Sequence, residues 1–242
     1  MKKFFLIFVC MIFAFACGTK TDSSKGTFEG TIEIKETTYN NSYNPETTYT
    51  KMTFLGSNVR GEDTEEASSE IFIVNIDKKN MITLDPVEKQ YTTLDFQKML
   101  DFFKELKELA DVDDQATNSD KPKTNITKTG KSVTLHGFKC EEYVYSDDEI
   151  TSTALVCENF SSFWTIFSEF TSLFGEDATD SKNWLLSIIG ASDFPFKIIE
   201  ETKDGELISE WEIVKVDKSK PNSSLFEIPK DYKEVKDDMF GG

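Results

Sequence analysis

A chain of 242 residues carries one histidine, His136, and four cysteines. So little imidazole excludes a histidine-cluster metal centre, and the cysteines are too scattered for a Cys-rich zinc framework. Positive charge is also short: 27 Lys and Arg against 44 Asp and Glu leave a formal charge of −17. A chain this acidic repels phosphate, which excludes general nucleic-acid binding. No G-x-S-x-G, Walker-type or G-x-G-x-x-G pattern occurs, so common signatures of acyl transfer and nucleotide binding are missing. What is there is a chain 38% hydrophobic and 29% charged, the composition of a globular protein.

The N-terminus reads as an address. Lys2 and Lys3 precede an uncharged apolar run, Phe4–Phe15, of 12 residues, short of the roughly 20 that span a bilayer. Ala14-Phe15-Ala16 then forms a small-residue cleavage site, so residues 1–16 are expected to be a secretory signal. Cys17 follows at once, and the arrangement resembles a bacterial lipobox, with Ala14 where that signal usually has Leu. The resemblance implies that Cys17 is lipidated and becomes the mature N-terminus; ordinary secretion with a free Cys17 is the alternative. Residues 17–26, rich in Gly, Thr, Ser and Lys, read as a flexible tether. Removal of Lys2 and Lys3 would bring the charge to −19.

From Thr27 the pattern is strand. Thr31–Glu36, Thr47–Phe54, Val59–Glu62, Ile71–Ile76, Met81–Leu84 and Gln90–Leu94 are short β-branched and aromatic runs about ten residues apart, the signature of an antiparallel meander. Asp95 is placed as an N-cap for a helix in which Phe96, Met99, Leu100, Phe103, Leu106 and Ala110 share a face. Residues 111–123 are polar and read as a mobile loop. Strands resume at Thr124–Thr129, Ser132–Leu135, Phe138–Tyr145 and Ile150–Cys157. Two further helices are expected, over Phe160–Phe174 and Ser181–Ile189, followed by Phe194–Thr202, an Asp204-Gly205 turn and Glu206–Val216. The sum is an α+β protein: residues 27–235 as one domain, a large curved antiparallel sheet covered by helices on its concave face, with a tail at 236–242.

If the second hairpin turns at Asp148-Glu149, Cys140 stands directly opposite Cys157. Opposed residues in an antiparallel pair are close enough for a disulfide; two buried thiols are the alternative. His136 sits beside Gly137 at a strand end and has no nucleophile or orienting group in any recognisable pattern. The acidic clusters do not fit D-x-[DN]-x-[DN]-G. No cofactor and no metal are expected.

The aromatic helical residues are the most informative. Phe96, Met99, Phe103, Phe163, Trp164, Phe167, Phe170, Phe174, Trp184 and Leu185 present more apolar surface than a thin helical cover needs. They are either core, the lining of a cavity for an apolar ligand, or a surface for a partner or membrane.

Three stretches carry a family resemblance. They are Leu135-His136-Gly137-Phe138-Lys139-Cys140-Glu141-Glu142-Tyr143, Phe194-Pro195-Phe196-Lys197-Ile198 with the Asp204-Gly205 hairpin, and Phe226-Glu227-Ile228-Pro229-Lys230-Asp231-Tyr232. In this order they resemble bacterial domain-of-unknown-function family 4412. That family is similar to the lipoprotein carriers and receptors of the LolA and LolB type. The resemblance implies an open β-barrel closed by helices over an apolar cavity. The reading is therefore a non-enzymatic envelope lipoprotein, facing the periplasm, with the outer membrane favoured, or displayed on the cell surface. It would be anchored to its membrane through Cys17 and hold an acyl chain, lipid or lipopeptide. The alternative is an envelope scaffold with a solid core and an acidic partner-binding surface.

Overall fold

The computed structural model of the chain describes residues 28–39, 45–64, 70–98, 101, 125–158, 160 and 193–235. Twelve strands form one sheet: β1 Gly30–Thr38, β2 Glu46–Leu55, β3 Asn58–Asp63, β4 Ile71–Asn75, β5 Asn80–Asp85, β6 Gln90–Asp95, β7 Asn125–Leu135, β8 Phe138–Ser146, β9 Ile150–Cys157, β10 Phe194–Thr202, β11 Leu207–Asp217 and β12 Lys233–Glu234. Their spatial order is β12-β6-β5-β4-β3-β2-β1-β11-β10-β9-β8-β7. Two meanders, β1 to β6 and β7 to β11, are thus joined through the β1–β11 pair. All neighbours are antiparallel except β12, which runs parallel to β6.

The sheet is curved and does not close. Phe54 on β2 and Phe138 on β8 are five strand steps apart in the order, which is about 24 Å on a flat sheet. Yet their ring centroids lie only 6.3 Å and 5.4 Å from that of one residue, Phe160. The His136-Gly137 turn between β7 and β8 gives the same measure. His136 Nε2 lies 2.9 Å from the carbonyl oxygen of Ile213 on β11, three steps away. Both turn residues have positive φ, 50° and 81°, as a two-residue hairpin of this type requires.

The first meander separates its faces by strict alternation. Ile32, Ile34, Met52, Phe54, Val59, Phe72, Met81 and Leu94 point inward to the main core. Gly61 stands opposite Phe72, and a Cβ placed on it would meet the Phe72 ring at 1.9 Å. The glycine lets that ring lie flat across β3. Arg60, Ile73 and Leu84 fall on the other face, where Ile73 and Leu84 are nonetheless buried. The C-terminal segment runs over that face. Arg60 Nη1 donates to the Leu225 carbonyl at 3.1 Å, within a 3-10 turn at Ser223–Phe226. β12 then caps β6, with Val235 N donating to Tyr91 O at 2.9 Å and Lys89 paired to Asp231 at 2.8 Å. The Phe226-to-Tyr232 motif is thus a strap ending in an edge cap.

Elsewhere the outcome is more regular in one place and less in another. Thr124–Thr129 and Ser132–Leu135, read as two strands, are one strand, β7, whose register with β8 shifts between Lys128 and Ser132. Asp95 does cap a helix: its Oδ1 accepts from Gln97 N at 2.7 Å and Lys98 N at 3.3 Å. Residues 96–98 and 101 are helical, and they are the only α-helical residues among those described. A layer of helices on the concave face is therefore not part of the described fold. The segments expected as helices at 160–174 and 181–189 lie, but for Phe160, outside the described residues, as does the loop at 111–123.

Candidate functional site: the aromatic nest on the inner face

Six phenylalanines from distant points of the chain meet on the inner face. Phe160 is their centre. Its ring stacks on Phe28 at 4.2 Å between centroids and meets Phe194, Phe196 and Phe138 at 5.2, 5.3 and 5.4 Å. Phe54 completes the shell. Edge-on and offset rings at these separations gain from their quadrupoles beyond simple burial. Phe160, Phe196 and Phe54 have no solvent exposure.

The floor beside them is pinned covalently. A disulfide joins Cys140 and Cys157, directly opposed across β8 and β9, and both sulfurs belong to the same core as Phe160. The turn that sets this register is tied by Asp147, whose Oδ1 accepts from Glu149 N at 2.8 Å and Ile150 N at 2.9 Å. Phe160 lies three residues beyond Cys157. At the rim, the Lys218 ammonium stands over the Phe138 ring, 4.1 Å from its centroid, a cation–π contact.

A second, smaller buried cluster contains Tyr145, Ala154 and Val156, with Tyr143, Ile150 and Ile198 against it. Burial, the hydrogen bond to Asp147 (2.7 Å) and that carboxylate's charge push the Tyr145 hydroxyl up to about 12. Near it, Glu200 accepts from Ser209 at 3.0 Å and Ser152 at 3.5 Å. Glu36 lies opposite Trp211; burial and the nearby Glu200 charge hold its carboxyl above the ordinary range. Trp211 Nε1 is buried without a hydrogen-bond partner. Among the described residues no three His, Cys, Asp or Glu side chains gather as metal ligands. His136 is a latch: a carbonyl has no proton to give, so Nε2 carries the hydrogen and donates it to Ile213 O.

Of the residues singled out as a cavity lining, Phe96 is described, and it is buried in the main core. Met99, Phe103, Phe163, Trp164, Phe167, Phe170, Phe174, Trp184 and Leu185 lie outside the described residues, as does Cys17. Phe28, Phe54, Phe138, Phe160, Phe194 and Phe196 are inner-face rings that periodicity does not single out as a group. Two of the resemblance motifs, with Phe138 and with Phe194-Pro195-Phe196, supply half of the nest.

The fold and the nest define a class: a single open antiparallel sheet curled about an aromatic interior. Within it the chain belongs to the family described as Domain of unknown function (DUF4412), matched over residues 28–232. No curated protein matches it. Among solved structures it is similar to an uncharacterized conserved protein from Thermus thermophilus, at 9% identity and a TM-score of 0.41, over 87% of this chain and 91% of that one. It is also similar to a LolA superfamily protein from Nitrosomonas europaea, at 10% identity and 0.34, over 83% and 90%. A putative outer membrane lipoprotein-sorting protein domain from Vibrio parahaemolyticus follows at 8% and 0.33, over 84% and 90%. Likeness at this level carries no function across.

Proposed function

We propose that this protein is a non-catalytic lipoprotein of the bacterial envelope that binds an apolar ligand, an acyl chain, lipid or lipopeptide, against the inner face of its curled sheet. The observation that supports the reading most is the nest: six rings from five separate parts of the chain converge on one inner-face site. Burial of apolar surface there, at roughly 25 cal/mol per Å², would supply the affinity. Helices from residues 96–110, 160–174 and 181–189 would cover the site. Anchoring through Cys17 would hold the domain at its membrane, with the outer membrane favoured.

A second reading rests on a specific observation too. Phe160 fills the centre of the nest and is fully buried, as it would be in an envelope scaffold with a solid core. Native mass spectrometry on protein from its own envelope, as wild type and Cys17→Ala, tests both. A lipid that stays with the Cys17→Ala protein supports the ligand-binding reading. An empty protein favours the scaffold. The wild-type mass also tells whether Cys17 carries acyl groups.

A further inference from the structure

We infer that one end of the sheet is a docking surface for anionic phospholipid headgroups. The inference rests on the anchored-lipoprotein reading above and adds which end of the domain meets the bilayer.

The strand registers sort the turns to two ends. The start of β1, the β2–β3, β4–β5 and β7–β8 turns, the helical residues after β6 and the chain leaving β11 share one end. The start of β2 and the β5–β6, β8–β9 and β10–β11 turns share the other. Their charges differ. At the second end Glu46, Glu88, Asp148, Glu149, Asp204 and Glu206 are exposed. Of the cations there, Lys89 pairs with Asp231 and Lys203 donates to Ser146 Oγ, while Lys230 and Lys233 lie on the strap. At the first end the balance reverses. Lys78, Lys79, Lys98 and Lys218 are exposed there and have no ion pair among the described residues. The carboxylates beside them are engaged: Asp77 accepts from Ser57, Asp95 caps the helical turn, Asp217 accepts from Ser219 and Glu29 pairs with Lys220. Glu158 is exposed at this end too.

Distance keeps the two ends electrostatically separate. The nine residues of β1 span about 30 Å, several times the screening length of about 8 Å at physiological salt. A chain of net negative charge can therefore bring one cationic end to an anionic leaflet, which attracts nearby lysines. The chain also enters at that end. Phe28 stacks on Phe160, Glu29 is tied to Lys220, and Gly30 stands opposite Phe54. Eleven positions separate Cys17 from Phe28, and a stretch of this composition and length spans about 18 Å on average. That is shorter than the sheet, so an anchor at Cys17 holds the lysine end, not the acidic end, against the bilayer. Lipid, rather than an acidic protein, is the anionic surface within reach.

The test couples the mature chain, unacylated, through its Cys17 thiol to a maleimide lipid in vesicles of phosphatidylcholine, with or without phosphatidylglycerol. A membrane-impermeant acetylating reagent then reports the reactivity of each lysine by peptide mass spectrometry. On the phosphatidylglycerol vesicles Lys78, Lys79, Lys98 and Lys218 should react about fivefold more slowly than on phosphatidylcholine alone, and Lys203 equally on both. Salt at about 1 M should erase the difference. The triple variant Lys78→Glu, Lys79→Glu, Lys98→Glu changes exposed side chains alone, and in it Lys218 should lose its protection. Equal reactivity of the four lysines on both vesicles overturns the docking surface, and so does equal protection of Lys203. Protection of Lys218 that survives the triple variant overturns it as well, since headgroup charge is then not the cause. None of these outcomes touches the anchoring reading, because the coupling is chemical. That reading fails instead if Cys17 of the protein from its own envelope carries no acyl groups.

Discussion

Phe196 and Val133 both sit in strands of one sheet, yet Phe196 has no exposure and Val133 is 40% exposed. The contrast extends to their surroundings. Around Phe196 the rings of three strands, the chain ahead of β1 and Phe160 close on one another. In β7, ten of eleven residues are exposed, and order comes from the ladder to β8 and from polar ties. Lys128 pairs with Glu141, and Lys131 with Glu142 at 3.0 Å. Thr129 donates to the Glu142 carboxylate at 2.9 Å across the register shift. The two ends of the sheet differ likewise: β6 is capped by β12, whereas β7 is the last strand in the order. A lysine-bearing, bulged strand at the end of a sheet order resists pairing with other chains. The nest is built to exclude water and the edge to tolerate it, so equal-sized losses of side chain should have very unequal costs.

The largest effect belongs to the nest. Phe196→Ala removes a fully buried ring and should cost about 3–5 kcal/mol. Urea unfolding midpoints measure it. A loss below about 1 kcal/mol would mean the nest is loosely packed and the contrast with β7 is false. Next comes the disulfide. Replacement of both Cys140 and Cys157 by Ser opens a loop with a sequence separation of 17 and should cost about 3 kcal/mol. The same midpoints, with and without reductant, check it: reductant should lower wild type and leave the double variant unmoved.

These two sites also show what is legible in the sequence. The Cys140–Cys157 pairing follows from counting outward from a two-residue turn, because hairpin register is local. Asp95 is legible as a cap for the same reason. The nest is not local. Phe54 and Phe138 reach the same ring, Phe160, only because the six strands from β2 to β8 curl, and no periodicity within β2 or β8 announces that. Spacing puts Phe160 on one face of a helix, but its partners are rings from 28 to 196. The strap reads as a motif without a place. Its two-residue parallel strand, β12, has no alternation to detect, and its role depends on Ile73 and Leu84 being buried on a face that alternation alone assigns to solvent. The His136 latch escapes sequence reasoning because its acceptor is a backbone carbonyl 77 residues away.

Tyr145 stands between these extremes: it belongs to the second buried cluster, not the nest, yet it pairs in register with Ile126 of β7. Its hydroxyl ionises near 10 when unfolded and is pushed to about 12 when folded. The folded state thus keeps its proton to higher pH. The associated stability is complete below about pH 10 and lost as pH rises through 12, with a ceiling of about 2–3 kcal/mol for two units. Tyr145→Phe should flatten the alkaline decline without changing its direction. Parallel slopes for the two proteins between pH 9 and 12 would show that the hydroxyl is freely solvated. Gly61→Ala should cost about 1–3 kcal/mol by driving the Phe72 ring off β3. Adding Phe72→Leu should recover part of the loss, because a smaller side chain leaves room for the new methyl. Strict additivity of the two substitutions would show that the ring and the glycine do not share that space.

The smallest effect sharpens the comparison from the other side. Hydrogen bonds from Lys131 and then Thr129 hold the Glu142 carboxyl below its ordinary range. The Lys131 partner is 75% exposed, however, so water and salt screen the pair and little stability follows from it. Lys131→Ala should cost less than about 0.5 kcal/mol, and that difference should vanish as salt rises past about 1 M, where the screening length is near 3 Å. Thr129 acts differently, because its hydroxyl bridges the residues that the register shift leaves out of the ladder. Thr129→Val should leave the global midpoint nearly unchanged while speeding hydrogen exchange at β7 amides relative to β1. Local opening of an edge need not involve the core. If both sets of amides accelerate together, β7 unfolds with the nest, and the edge is part of the same cooperative unit despite its exposure.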